Sequence, residues 1–174
     1  MFIELVKTIR PNKIIDFGLM DGFSTISMAE GVIANGFGKI FAYDIFDKYP
    51  YNASNREVLE LNLKKFGVAD IVCVRNVNFH EWINSDDVED FDLLHIDISN
   101  CGDIIRRAYN RLASKIETGS TVIFEGGSKE RDLVEWMLEY NKVSINSVRD
   151  ECSYEIICNE WPSISKMTLQ KKGE

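Results

Sequence analysis

A chain of 174 residues, 45% of them hydrophobic and 28% charged, is long enough for one well-formed core and too short for two large domains. Eleven Gly and three Pro exclude a low-complexity or disordered chain, so a single domain over residues 1–174 is expected. Twenty basic and 28 acidic residues leave a net charge of −8, which argues against nucleic acid as a partner. No run of eighteen apolar residues exists, and charges interrupt the amino-terminal Met-Phe-Ile-Glu-Leu-Val-Lys, so neither a membrane span nor a signal peptide is expected. The four cysteines, Cys73, Cys101, Cys152 and Cys158, form no C-x-x-C pair and read as reduced packing residues of a soluble cytoplasmic protein.

The elements alternate. An amphipathic turn or two carrying Phe2, Leu5, Val6 and Ile9 stops before Pro11, because the residue preceding proline is pushed out of helical space. A strand follows at Lys13 to Phe17, a helix at Ser24 to Ala34 closed by Gly36 and Gly38, and a second strand at Lys39 to Tyr43. Ser54-Asn55-Arg56-Glu57 has capping-box form and predicts a helix to about Phe66, ended by Gly67. Strand three is Ile71 to Val74, with a short helix at Phe79 to Ile83, and the acidic run Asp86 to Asp90 reads as a solvated loop.

Strand four is Phe91 to Ile96. Ile105, Ala108, Tyr109, Leu112 and Ile116 lie on one stripe of a helix that packs on a sheet. Arg107, Arg111 and Lys115 share its other face, with Asp103 one turn before Arg107 as an ion-pair partner. Strand five is Thr121 to Phe124, and Ser128 is placed to cap a helix with Leu133, Trp136, Met137 and Tyr140 on one face. Val143 to Val148, Tyr154 to Cys158 and Ile164 to Leu169 are strand candidates with no helix between them. Five strand–helix units and a helix-free tail specify a doubly wound, Rossmann-like, mostly parallel α/β sheet with a carboxy-terminal antiparallel hairpin. Ligands of such sheets bind at the carboxyl ends of the strands.

Those ends carry Asp16 to Ser24, Asp44, Asn76 to Phe79, Asp97 to Asn100, and Glu125-Gly126. Gly18 allows a sharp turn off strand one, and Gly22 lets the next helix start close to a ligand. A dinucleotide fingerprint needs a glycine where Met20 stands and another at Phe23, so a pyrophosphate would be crowded and a nicotinamide-dependent reductase is disfavoured. Asp44, 22 residues after Gly22, ends strand two where a carboxylate accepts both ribose hydroxyls. These features ask for a nucleoside without a diphosphate. A purely structural role for Asp16, bonded to amides of the turn, stays open.

The sequence resembles the class I S-adenosylmethionine-dependent methyltransferases, and among them the small catechol-O-methyltransferase-like group. The likeness rests on Arg10-Pro11 before Ile14-Ile15-Asp16-Phe17-Gly18, on Gly22-Phe23-Ser24-Thr25, on Ala42-Tyr43-Asp44, on Phe91 to Asp97 and on Gly119 to Glu125. The resemblance implies that Asp16, Gly18, Gly22 and Ser24 hold the methionine end of the donor, that Asp44 holds the ribose, and that Asn78 and Phe79 border the adenine. In metal-dependent relatives an Asp ends strand four, Asp-Asn or Asp-Asp ends strand five, and a Lys or His stands three residues past the first Asp. Here Asp97 is kept, Asn100 stands at the Lys or His place, and Glu125-Gly126 at the Asp-Asn place. Asp97 and Asn100 are therefore catalytic candidates, and His80, in the turn after strand three, is a third, a base if it points toward the cleft and otherwise an exposed or capping histidine; Asp97 with Glu125 are the candidate ligands of a divalent metal.

His95, between Leu94 and Ile96, reads as a buried, satisfied histidine, and Trp136 and Trp161 as core or interface residues. The expected function is methyl transfer from S-adenosylmethionine to a small-molecule or sugar acceptor; the alternative is a binding or scaffold protein that kept the fold and lost the chemistry. About a dozen residues precede strand one, so either the acceptor carries its own shape or a second copy of the chain, in a homo-oligomer, supplies a lid.

Overall fold

The computed structural model describes residues 1–46 and 54–168. Seven strands lie in one sheet in the order β3-β2-β1-β4-β5-β7-β6. By internal contacts the chain divides into two compact units, Met1–Leu94 and His95–Glu174.

The first unit opens with α1 (Phe2–Ile9), β1 (Lys13–Phe17), α2 (Phe23–Asn35) and β2 (Lys39–Asp44). It continues through α3 (Arg56–Lys65), β3 (Val72–Asn76) and α4 (Phe79–Asn84) into the first half of β4 (Leu93–Ile96). β1 and β2 pair in parallel with Ile14 opposite Ile40, and β2 pairs with β3 with Ile40 opposite Val72. Ile14 to Phe17 are all buried, as a parallel strand covered on both faces requires, which explains why the run is continuously apolar except for Asp16. Phe17 carries the aromatic core onward: its ring lies 5.1 Å from that of Phe79 and 5.0 Å from that of Trp82. The Lys13 ammonium and the Tyr43 hydroxyl both donate to the Glu89 carboxylate, at 2.6 and 2.7 Å. Burial and Glu89 together hold the Tyr43 phenol above its ordinary pKa.

Two sequence expectations shift here. The cap of α3 is Asn55, whose side-chain oxygen accepts from the Glu57 and Val58 amides at 2.8 and 3.3 Å, while Ser54 is buried one residue earlier. Ile71 belongs to a 3₁₀ turn over Ala69–Ile71, so β3 begins at Val72, and Cys73 on it is exposed rather than packed.

The second unit holds the rest of β4, α5 (Gly102–Glu117), β5 (Thr121–Glu125), α6 (Glu135–Glu139), α7 (Arg149–Cys152), β6 (Tyr154–Cys158) and β7 (Ile164–Met167). β7 pairs antiparallel with both β5 and β6, giving the expected hairpin, although Leu169 lies outside the described residues. Ile105, Ala108 and Leu112 bury the predicted stripe of α5. Asp103 pairs with Arg106, one residue before the expected Arg107, and Arg106 also reaches Glu151 at 2.7 Å. That three-charge bridge ties α5 to α7.

The segment after β5 departs most from expectation. The helix predicted behind Ser128 is a 3₁₀ turn over Arg131–Leu133 followed by the five-residue α6, and of its apolar stripe only Met137 is buried. Leu133 is 68% exposed and Tyr140 45%. Val143–Val148 is no strand: it ends in a 3₁₀ turn at Asn146–Val148 that runs into α7, so the tail is not free of helix. Trp161 is 66% exposed and Trp136 half-buried, whereas His95 is fully buried as expected. Among the described residues no helix is long and apolar enough to cross a membrane.

Candidate functional site

In the first unit the carboxyl ends of β1, β2 and β3 are tied into one structure by backbone groups and two carboxylates. The chain leaves β1 through Gly18, at φ +86°, whose amide donates to the Tyr43 carbonyl at 3.1 Å. It turns back so that the Gly22 amide reaches the Leu19 carbonyl at 2.7 Å, and α2 starts when the Ile26 amide finds the Gly22 carbonyl at 2.8 Å. Gly22 is required twice over. Its φ of +89° is left-handed, and a Cβ there would lie 2.5 Å from Cδ1 of the fully buried Leu59. Met20, also at positive φ, points into solvent and is 61% exposed.

Asp44 fixes this turn. Its Oδ2 accepts from the Leu19 amide at 2.8 Å and its Oδ1 from the Phe46 amide at 2.9 Å. Hydrogen bonds to a charged acceptor stabilise by about 1.5–3 kcal/mol each, so this buried carboxylate holds the β1 loop against the end of β2. The next loop is bound to the same place, since the Val77 amide donates to the Asp44 carbonyl at 3.0 Å and Asn76 Nδ2 to the Ile45 carbonyl at 3.2 Å.

Asp16, the penultimate residue of β1, is fully buried. Thr25 Oγ donates to its Oδ2 at 2.6 Å and Ser24 Oγ, more weakly, at 3.4 Å. Asp16 is thus bonded to side-chain hydroxyls of the first turn of α2. Thr25 is the stronger partner and was missed in the sequence, where Ser24 alone was singled out. The signal was its place beside Ser24, one residue further into a helix that begins at Phe23. Asn78 caps α4 by accepting from the His80 amide at 2.8 Å, Phe79 is buried against Phe17, and His80 is exposed. Asp16, Gly18, Gly22, Ser24, Asp44, Asn78 and Phe79 are therefore all at the carboxyl ends of these three strands.

The second unit has its own strand-end set. Asp97 is exposed immediately after β4. Asn100 is fully buried, and its Nδ2 donates to the Ile96 carbonyl at 2.8 Å and the Glu125 carbonyl at 2.9 Å, joining the tips of β4 and β5. The Glu125 carboxylate is buried with Arg131: Nη2 donates to Oε2 at 2.8 Å and Nε to Oε1. This bidentate pair engages both oxygens of the carboxylate expected to ligate a metal ion. Among the described residues no group of three or more His, Cys, Asp and Glu side chains is placed to hold a metal ion.

Arg131 could not be found from spacing, since its partner is six residues back across a turn rather than on a shared helix face. Beside it, Asp132 accepts from the Ile145 and Asn146 amides at 2.9 and 2.8 Å and from the Ser144 hydroxyl, which is why residues 144–146 turn instead of extending as a strand. The Tyr154 hydroxyl donates to the carbonyls of Gly127 and Ile145 at 3.1 and 3.3 Å. Burial pushes that phenol up to about 12, against the lowering pull of Arg149.

A family model described as a methyltransferase domain matches residues 15–125, which run from β1 to the end of β5. No curated protein matches the chain. Among solved structures, a protein assigned as an O-methyltransferase from Klebsiella pneumoniae is 17% identical, over 97% of this chain and 77% of that one, with a TM-score of 0.64. An O-methyltransferase from Bacillus cereus in complex with S-adenosylhomocysteine (SAH) is 13% identical, over 97% and 79%, with a TM-score of 0.62. An SAH-bound methyltransferase from Podospora anserina is 12% identical, over 97% and 76%, also at 0.62. At these identities the likeness is one of fold.

Proposed function

The chain belongs to the methyltransferase-domain family, and from that premise we propose that it transfers a methyl group from S-adenosylmethionine to a small-molecule or sugar acceptor in the cytoplasm. The observation that carries the reading is Asp44: a buried carboxylate at the end of β2 whose amide bonds to Leu19 and Phe46 hold the β1 loop against that strand end, the place where ligands of such sheets bind. The rest of the donor set fits the same group. Asp16 and Asp44 are carboxylates, suited to a ligand with a sulfonium and an ammonium, and the turn from Gly18 to Gly22 brings backbone rather than side chain to the strand end.

When bound, the donor supplies a methyl group made electrophilic by the sulfonium. Asp16, Gly18, Gly22 and Ser24 would hold its methionine end, Asp44 its ribose, and Asn78 and Phe79 would border its adenine. What this chain does for the reaction is then chiefly positioning, which converts a bimolecular displacement into a unimolecular one. Two of the similar structures hold SAH, which supports the choice of donor. Asp97 and His80, both exposed, are the groups proposed to take the acceptor's proton, and residues 1–174 are proposed to work as one methyltransferase domain.

Calorimetric titration with S-adenosylmethionine and SAH tests the proposal. Saturable binding is expected, weakened about 10- to 100-fold by Asp44→Ala as a charge-assisted hydrogen-bond acceptor is lost. Neither heat nor a thermal shift at millimolar ligand would defeat it.

A further inference from the structure

We propose that Arg131 is the resident cation of the β5 end, that Glu125 is accordingly no metal ligand, and that methyl transfer at this strand end proceeds without a divalent ion. The inference rests on the methyltransferase reading above.

A divalent cation of the hard class needs six or more oxygen ligands, and carboxylates supply its charge. Of the two carboxylates expected to do so, only Asp97 is exposed at its strand end; Glu125 is 5% exposed, with both oxygens taken by the Arg131 fork. That guanidinium is held on every side. Its carbon lies 5.5 Å from the centre of the Trp136 ring, and Nη1 is 3.1 Å from the Met137 sulfur. Its backbone amide donates to the Ser128 hydroxyl at 3.2 Å, and its neighbour Asp132 is anchored to residues 144–146. The stem has little room to withdraw, because a Cβ on Gly126 would already lie 3.4 Å from Arg131 Cγ and 2.7 Å from Ile145 Cδ1.

A metal ion taking Glu125 would have to evict this guanidinium and leave it buried without its partner. Uncompensated buried charge of that kind lowers the metal's affinity by about 100- to 1000-fold. The neighbouring backbone is engaged as well, since Asn100 Nδ2 donates to the Glu125 and Ile96 carbonyls. The consequence for the acceptor is chemical: its attacking atom must be nucleophilic at neutral pH, or give up its proton to a carboxylate or imidazole, with no Lewis acid to lower its pKa.

The test uses wild-type, uniformly ¹⁵N-labelled protein with SAH added, titrated with Mn²⁺ and read through the Arg131 Nε–H and Asn100 side-chain amide signals, assigned by through-bond correlation. Both signals should keep their linewidths at a tenfold excess of Mn²⁺, with any broadening confined to exposed carboxylates elsewhere. Selective broadening of the two signals at substoichiometric Mn²⁺, reversed by a chelator, would overturn the proposal. SAH binding is measured by calorimetry on the same sample. Its failure would count against the donor assignment alone, since the paramagnetic readout needs no bound donor.

Discussion

Two strand-end regions of this chain solve the problem of a buried carboxylate in different ways. At the ends of β1 and β2, Asp16 accepts from hydroxyls of Ser24 and Thr25 and Asp44 from amides of Leu19 and Phe46, all neutral donors. At the end of β5, Glu125 faces a full positive charge, with both oxygens in the fork of Arg131. Neutral donors such as these stabilise a carboxylate without cancelling its charge. A guanidinium cancels the charge, so the second region is a structural joint. The number of acidic residues near a strand end therefore says less about ligand binding than the identity of what they already bond.

The largest test of that contrast is Arg131→Met, which should destabilise the protein by about 3–5 kcal/mol in urea unfolding by leaving Glu125 charged and buried. Replacing both members, as Glu125→Leu with Arg131→Met, should recover most of that loss, as expected of a structural joint. If SAH affinity fell in step with stability across these variants, the separation of roles would be wrong.

Gly22→Ala probes the other region and should cost about 1–3 kcal/mol, because the new methyl group meets Leu59 and the φ of +89° disfavours any side chain. Here SAH binding should weaken too, which distinguishes the two regions by calorimetry. The smallest effect is one of pH. The Tyr154 phenol is raised from 10.0 to about 12, chiefly by burial, so the stability it contributes is fully present below pH 10 and is lost as pH rises towards 12. Alkaline unfolding followed by circular dichroism should show that loss, and Tyr154→Phe should remove it.

Much of this was legible in the sequence where the signal was local. Continuous apolar runs marked β1 and β5, the stripe Ile105, Ala108, Leu112 marked α5, and Gly18 with Gly22 marked the turn into α2. Expectation failed where a side chain reached across a loop. Asp132 draws the amides of Ile145 and Asn146 into a turn, so the β-branched run from Val143 never extends. Arg131 turns to Glu125, and the chain at Val134 takes an extended ψ of 142°, so the helical stripe Leu133, Trp136, Met137, Tyr140 is cut into short pieces. Asn55 displaced Ser54 as the cap of α3 because two adjacent polar residues satisfy the same local pattern and only the backbone decides between them. In the candidate site, residue positions were readable but their bonding partners were not, and the partners separate a ligand-binding carboxylate from a structural one.

Asn100 bears on how such a protein can change over generations. One amide nitrogen stitches the carbonyls of Ile96 and Glu125 together, and a histidine in its place, with at most one N–H on each ring nitrogen, could not make the same pair of bonds from one atom. A descendant acquiring an imidazole base at residue 100 would have to re-fasten two strand tips in the same step. The route from this arrangement to a base-equipped one therefore runs through coordinated substitutions rather than a single point change.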